Sequence, residues 1–511
     1  MRPTFMGFES SRSALYTSQK ALDIVGHNLA NIASEGYTRQ RADQVAIDVY
    51  AYKNRLSVNS LNYTGMGATV EGVSQVRDER ADISFRNSYS ETSYYGKSND
   101  MFGEIENILS ELDEGVDGNG YGLGWGIEQM YKSLEDIVTN VNIAGDAAVF
   151  QEAVNNMTGL LNRVSNQLTE SCEAFKKELT VQVNDANTIL EDIAQLNKNI
   201  KEIIITNGYT EQYGPNELID KRNVLLDELS AFGKVKAENN KDGTINVFFN
   251  DHECVTGVNA DKFMYQDNTD GTVSVKWKTN SENAVLQDGI LKASAEIING
   301  RGNNISGSDE STVRGYRYYQ DCLDTFAVKI ADVLNNTLPA SFDAEGNVTS
   351  YKKLVGQSAV ENGERKVYPE RKVSASNITL SDDFNADPSY IYYDRNSCDS
   401  TYFLELIGKL STNKQTFING VETYKGTFSD YITEYTGKIG GDKFYASYKY
   451  EATEKISDEL QNFRENVMAV SETDETVSML TYNRAFQAAA KIMTTFDEML
   501  DVIVNQVGAL G

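Results

Sequence analysis

Both ends of this chain carry the same apolar repeat, and that repeat limits the architecture more than any other feature of its 511 residues. Near the start, Phe8, Ser11, Leu15, Ser18, Leu22, Val25, Leu29 and Ile32 follow at alternating steps of three and four. Near the end, Met479, Tyr482, Phe486, Ala489, Met493, Phe496, Leu500, Ile503 and Val507 do the same. That alternation places side chains on one narrow stripe of an α-helix, the seam of a coiled coil. Ser11 and Ser18 are small enough to let a partner come close. Two such seams, one at each end of a polar body, predict ends that pair with each other or with other copies. They point to assembly more than to catalysis.

The spacing predicts one helix over 4–33, ended at Glu35-Gly36, where Gly36 suits a left-handed cap. Residues 39–76 read as extended, with turn signals over 59–67. Helical periodicity resumes over 78–112 and again over 127–206. The stretch 146–205 is one rod-like helix or two in line. An amphipathic helix follows over 216–232. The period then falls from 3.6 to 2. Runs from Val235, Thr244 and Val273 read as strands, with Asp242-Gly243 and Asp270-Gly271 as hairpin turns. A polar linker covers 300–309, a helix spans 311–338 until Pro339 stops it, and 340–373 is strand-like. From Tyr402 helical patterns return, over 404–410, 428–439 and 448–468. The fold class is α+β and multidomain: a long helical bundle formed by both chain ends, with an inserted β-rich central domain. Three parts are expected. Residues 1–35 and 476–511 are terminal helices of an inner coiled-coil layer; 36–232 and 376–475 form a mostly helical bundle; 233–375 form a β-rich outer domain with one helix near 311–338.

Charge and composition narrow the function. Lysine and arginine total 47 against 75 acidic residues, a net charge of −28. Such an excess repels nucleic acid and anionic membranes. No run approaches the roughly 20 apolar residues of a membrane span, and the first dozen residues lack the apolar core of a cleaved signal peptide. Cys172, Cys254, Cys322 and Cys398 are far apart with no CxxC, so free and mostly buried thiols are expected rather than a zinc site. His27 and His252 are the only histidines, and His27 falls off the seam on the helix surface. The glycine-rich run 115–126 fits no register of GxGxxG and follows no strand, which makes it a loop. The two Asp-Gly turns place Phe249 and Trp277 where a calcium loop needs glutamate. No catalytic residue, cofactor or metal is expected.

Just after the first seam stands Leu29-Ala-Asn-Ile-Ala-Ser-Glu-Gly-Tyr-Thr-Arg-Gln40. This resembles the signature of the bacterial flagellar axial proteins: an Ala-Asn, then Gly-Tyr and a basic residue. Within that family, the Tyr37 to Gln40 ending is similar to that of hook-associated subunits. So are Asn216 to Ser230, which hook and rod proteins lack, and Ser376 to Pro388. Ala485 to Asp501 resembles the family's terminal helix. Two departures stand out: Ala469 to Glu475 lacks the usual glycine, and Ser34-Glu35 precedes the Gly-Tyr. The resemblance implies a non-enzymatic structural protein that self-assembles in a helical array at the junction of hook and filament. The implied neighbours are hook protein and the next hook-associated protein on the filament side, with a flagellar export chaperone. It also implies an extracellular, flagellar location reached through the flagellar type III apparatus without cleavage. The expected assembly interface is Phe8, Leu15, Leu22, Val25, Leu29, Asn31, Ile32, Gly36 and Tyr37 with Phe486, Ala489, Met493, Phe496, Leu500 and Ile503. An isolated pair of such helices is marginal, so residues 1 to ~35 and ~475 to 511 are expected to be disordered or frayed in the monomer and to order on assembly. Rival readings are another axial subunit, a wall-acting enzyme housed in 233–375, and a coiled-coil adhesin, for which no surface anchor is visible.

Overall fold

The computed structural model describes residues 6–47, 67–110, 122–139, 143–208, 213–302, 312–361, 364–393 and 400–507. The first seam forms α1 (Met6–Ala30), which ends short of Ile32. β1 (Gln40–Ala46) and β2 (Ala68–Gln75) follow as an antiparallel hairpin with a register shift between Asp43 and Gln44. The turn signals before Gly67, most of the glycine-rich run, most of the polar linker and Cys398 lie outside the described residues.

Helices dominate what comes next: α2 (Glu79–Ser110), α3 (Leu123–Thr139), α4 (Ile143–Asn207) and α5 (Asn216–Ser230). α4 is one helix of 65 residues, which decides between one rod and two. Its length has a simple cause. Phe150, Val154, Met157, Leu161, Val164 and Leu168 continue the buried stripe of three and four, and Leu179, Val183, Ala186, Leu190 and Ile193 carry it on. α3 is the first part of the helical stretch read over 127–206. It begins earlier, at Leu123 within the glycine run, because Leu123, Ile127, Met130, Leu134 and Ile137 already form a buried stripe.

Short strands then appear. β3 (Val235–Asn239), β4 (Ile245–Phe249), β5 (His252–Thr256) and β6 (Asn259–Ala260) make a four-stranded antiparallel sheet. β7 (Phe263–Asp267) and β8 (Val273–Trp277) make a hairpin. Both Asp-Gly pairs sit in the turns between paired strands, as expected. Two helices occupy the stretch where one was expected: α6 (Gly289–Asn299) and α7 (Tyr316–Asn335). α6 is brief, and its buried Leu291, Ala293, Ile297 and Ile298 span little more than two turns.

β9 (Pro339–Phe342) and β10 (Val348–Tyr351) pair, and β11 (Val355–Glu361) lies between β12 (Glu364–Tyr368) and β13 (Ile378–Leu380). α8 (Asp382–Ala386) and α9 (Ser400–Ser411) lead to a hairpin of β14 (Gln415–Asn419) and β15 (Glu422–Gly426). Helix was expected to return here, but Thr416 to Asn419 alternate and Asn419-Gly420 is a hairpin-turn pair. α10 (Phe428–Met468) joins the two helical stretches read over 428–468 into one helix of 41 residues. α11 (Glu472–Asp501) carries the second seam and passes into a π-helical turn, Val502–Val507, which holds Ile503. The class is α+β.

The chain forms two compact units. One comprises residues 1–90, 186–262 and 454–511; its core includes Val25, Phe85, Leu226, Leu229, Val247 and Phe249. The other comprises 91–185 and 263–453; its core includes Met101, Phe150, Tyr316, Tyr319 and Phe326. Cys172, Cys254 and Cys322 are free and buried. No helix among the described residues is long and apolar enough to cross a membrane.

Candidate assembly interface

Both terminal seams fall in the first unit, and there α1 packs along α11. Close approach is built into the sequence at Gly7, where an added Cβ would stand 2.2 Å from Cζ of Phe496. Most seam residues take the covered positions, with Met479 exposed at the start of the second seam. Ala489 and Val25 are buried. Phe8, Leu15, Leu22, Leu29, Phe486, Met493, Phe496 and Leu500 are half-buried. Ile32 and Ile503 are exposed, one beyond the end of α1 and the other past the α-helical part of the last helix. α11 also has a second apolar face that the sequence reading missed. Val477, Leu480, Ile492 and Met499 are all more than half exposed there, at 51–58%.

The end of α1 is held by a polar joint. Gly36 has φ +72°, a left-handed conformation that only glycine adopts freely, and an added Cβ would meet Cγ2 of Val224 at 2.2 Å. Asn28, in the last turn of the helix, is only 1% exposed. Its Nδ2 donates to the Gln40 carbonyl at 2.9 Å, and its Oδ1 accepts from the Gln40 amide at 3.0 Å and the Tyr37 hydroxyl at 2.8 Å. His27 Nδ1 lies 2.9 Å from the same hydroxyl. Asn31 has a different task. Its Nδ2 donates to the His27 carbonyl at 2.9 Å, which caps the helix end.

The next residues tie this joint to distant parts of the chain. The Thr38 amide donates to Asp220 Oδ2 on α5 at 3.2 Å. Arg39 Nε pairs with Glu475 Oε1 in the first turn of α11 at 2.6 Å, and the Arg39 amide donates to the Met468 carbonyl at 2.8 Å. Gln75 Nε2 also donates to Asp220, at 2.8 Å. Thus the Tyr37 to Gln40 signature, the 216–230 segment and the start of the last helix meet in one place. Beside it, Arg77 pairs with Asp82 at 2.6 Å, while Asp227 binds both Arg86 and Arg464 at 2.6 Å.

Burial and charge bias the joint's acids. Burial pushes the Asp220 carboxyl above the usual range, against the pull of its bonds from Thr38 and Gln75 and of the nearby Arg77. Burial, with Asp220, Glu217 and Glu475 nearby, pushes the Tyr37 hydroxyl well above its ordinary value, so it stays a donor. The joint is densely hydrogen-bonded, although the buried Gln40 Nε2 has no partner among the described residues. No group of His, Cys, Asp or Glu among the described residues is arranged to hold a metal ion.

Comparison with known proteins agrees with this geometry. The family model described as the flagellar hook-associated protein FlgK helical domain matches residues 103–351. The model described as the flagellar basal body rod FlgEFG protein C-terminal matches residues 466–507, which contain α11. The chain is 25% identical to flagellar hook-associated protein 1 of Bacillus subtilis over the full length of both. It is 20% identical to the Salmonella typhimurium protein of the same name, covering 96% of this chain and 98% of the relative. A solved structure of the flagellar hook junction protein FlgK from Burkholderia pseudomallei shares the fold with a TM-score of 0.57 at 11% identity, covering 76% of this chain and all of that one. The paired terminal helices and the matching C-terminal model define an axial structural protein of the bacterial flagellum. Within that class the chain is similar over its full length to flagellar hook-associated protein 1.

Proposed function

We propose that this chain forms the junction between hook and filament by helical self-assembly through its terminal helices. The observation that carries the reading is the α1–α11 pair with an apolar face of α11 left open. Head-to-tail contacts between identical copies extend such pairs into a helical array. The terminal helices, 1–35 and 476–511, form its inner layer. Residues 36–232 and 376–475 surround them, and 233–375 face outward. The assembly surface comprises the seam residues, of which Ile32 and Ile503 are exposed, together with the open face of Val477, Leu480, Ile492 and Met499.

Hook protein lies on one side and the next hook-associated protein on the other. A flagellar export chaperone holds the chain before export through the flagellar type III apparatus, without cleavage. The role is structural and not enzymatic. A hook or rod subunit is the weaker alternative, because the 216–230 segment is built into the joint through Asp220 and Asp227. Electron microscopy of a strain lacking the chain tests the proposal. Hooks without filaments, with flagellin shed into the medium, are expected. Filaments attached at normal frequency would overturn it.

A further inference from the structure

Arg222 is a buried cation without a counter-charge. It sits on α5 in the first unit, with a side chain 5% exposed. One terminal nitrogen of its guanidinium donates to Asn197 Oδ1 at 2.9 Å and to the Gly243 carbonyl at 2.8 Å. Both acceptors are neutral, and Asn197 Oδ1 also accepts from the Ile245 amide. Nε of Arg222 has no acceptor among the described residues, and no carboxylate among them forms an ion pair with it. A guanidinium offers five donors in a fixed fork, so much of this one is unused. Leaving a buried charge unpaired is costly. Burial, with Arg77 nearby, pulls the group down to about 10 from 12.5.

Arg222 lines a cavity of about 430 Å³. Arg41, Arg77 and Arg86 line it as well, so four arginines converge on one cavity in a chain of net charge −28. Three of them already have carboxylates: Asp43, Asp82 and Asp227. Asp82 and Glu79 also line the wall; Asp82 is taken by Arg77, and Glu79 is exposed. Ile200, Ile204, Ile219 and Leu226 provide an aliphatic side.

We propose that this cavity binds a small oxyanion, a phosphate or carboxylate group, through Arg222, with room for a short aliphatic portion beside it. The anion completes the guanidinium's hydrogen bonds and its charge, as planar paired oxygens do for arginine.

Titration calorimetry of the full chain against inorganic phosphate and against glutarate, at constant ionic strength, tests the site and separates the two anion sources. Saturable one-to-one binding of either is expected, at least tenfold weaker in Arg222→Met. Asn223→Asp keeps the guanidinium and adds a fixed carboxylate to the same wall. It is expected to weaken binding at least tenfold while raising the Tm of the ligand-free protein, which keeps the proposal testable should Arg222→Met not fold. No saturable heat with either anion, or binding unchanged in Asn223→Asp, would overturn it.

Discussion

Asn28→Leu probes the joint most sharply, because one amide side chain there serves three partners. Leucine nearly matches asparagine in size but can neither donate nor accept. The Gln40 amide and carbonyl, both bound by Asn28 and on a residue only 7% exposed, would be left without their partner. Each orphaned buried group costs about 1–3 kcal/mol. Tyr37 loses less, because its hydroxyl retains His27. Burial of the added apolar carbons returns about 1–2 kcal/mol. The net loss then centres on about 2.5 kcal/mol by the same reckoning. Native-state hydrogen exchange read at the Gln40 amide measures this locally, without assuming that the two units unfold together. The opening free energy should fall by that amount. Asn28→Asp separates the two halves of the interaction. It keeps both acceptor contacts but sets a carboxylate against the Gln40 carbonyl, so protection should recover on acidification, when the acid can donate. Unchanged protection of Gln40 in Asn28→Leu would refute the reasoning.

Three further perturbations have defined outcomes. Gly36→Ala meets a left-handed backbone costing about 1–2 kcal/mol and an overlap with Val224 costing about 1–3 kcal/mol; calorimetry should show a clearly lowered Tm for the first unit. Glu475→Gln should weaken the attachment of α11 by about 1–2 kcal/mol, below the cost of breaking a fully buried pair because Arg39 reaches solvent; exchange of the first α11 amides reads this. Asp242 is held down to about 2 from 3.8 by hydrogen bonds from Thr244 and Lys201. A depressed carboxyl contributes stability above its unfolded pKa and loses it as pH falls towards the folded one. Asp242→Asn should therefore flatten the stability profile between pH 4 and 2 and leave its shape near pH 7 unchanged, as urea titrations at each pH would show.

The elements that were legible from sequence are those whose cause is local. The two seams, α5 and both Asp-Gly hairpins depend on spacing or on a two-residue turn, and each is visible within a short window. α6 was missed because little more than two turns of apolar spacing do not stand out beside neighbouring strands. The β14–β15 hairpin was missed because helical patterns on both sides masked the Asn419-Gly420 signal. The joint shows the other kind of failure. Asn31 drew attention as part of the Ala-Asn pair, whereas the buried residue that binds Tyr37 and Gln40 is Asn28. Nothing near Thr38 or Arg39 reveals that their partners are Asp220 and Glu475, 182 and 436 residues further on. Such pairings are set by tertiary packing, and only the quoted signature hinted that these residues mattered. The seams themselves were read correctly as helices, and of the two partners the repeat left open, the other end of the same chain is the one α1 packs on.

The central claim is that the terminal pair assembles with neighbouring copies through surface that the chain itself leaves open. Leu480→Glu with Ile492→Glu tests it directly, since both side chains are exposed and opposite charges are absent from the α1 seam. Surface changes of this kind leave stability within about 0.5 kcal/mol per site, so the purified variant should keep its helical circular dichroism and its Tm. Returned to the strain lacking the chain, it should be exported yet leave hooks without filaments in the electron microscope. Normal filament attachment by the folded double variant would contradict the account.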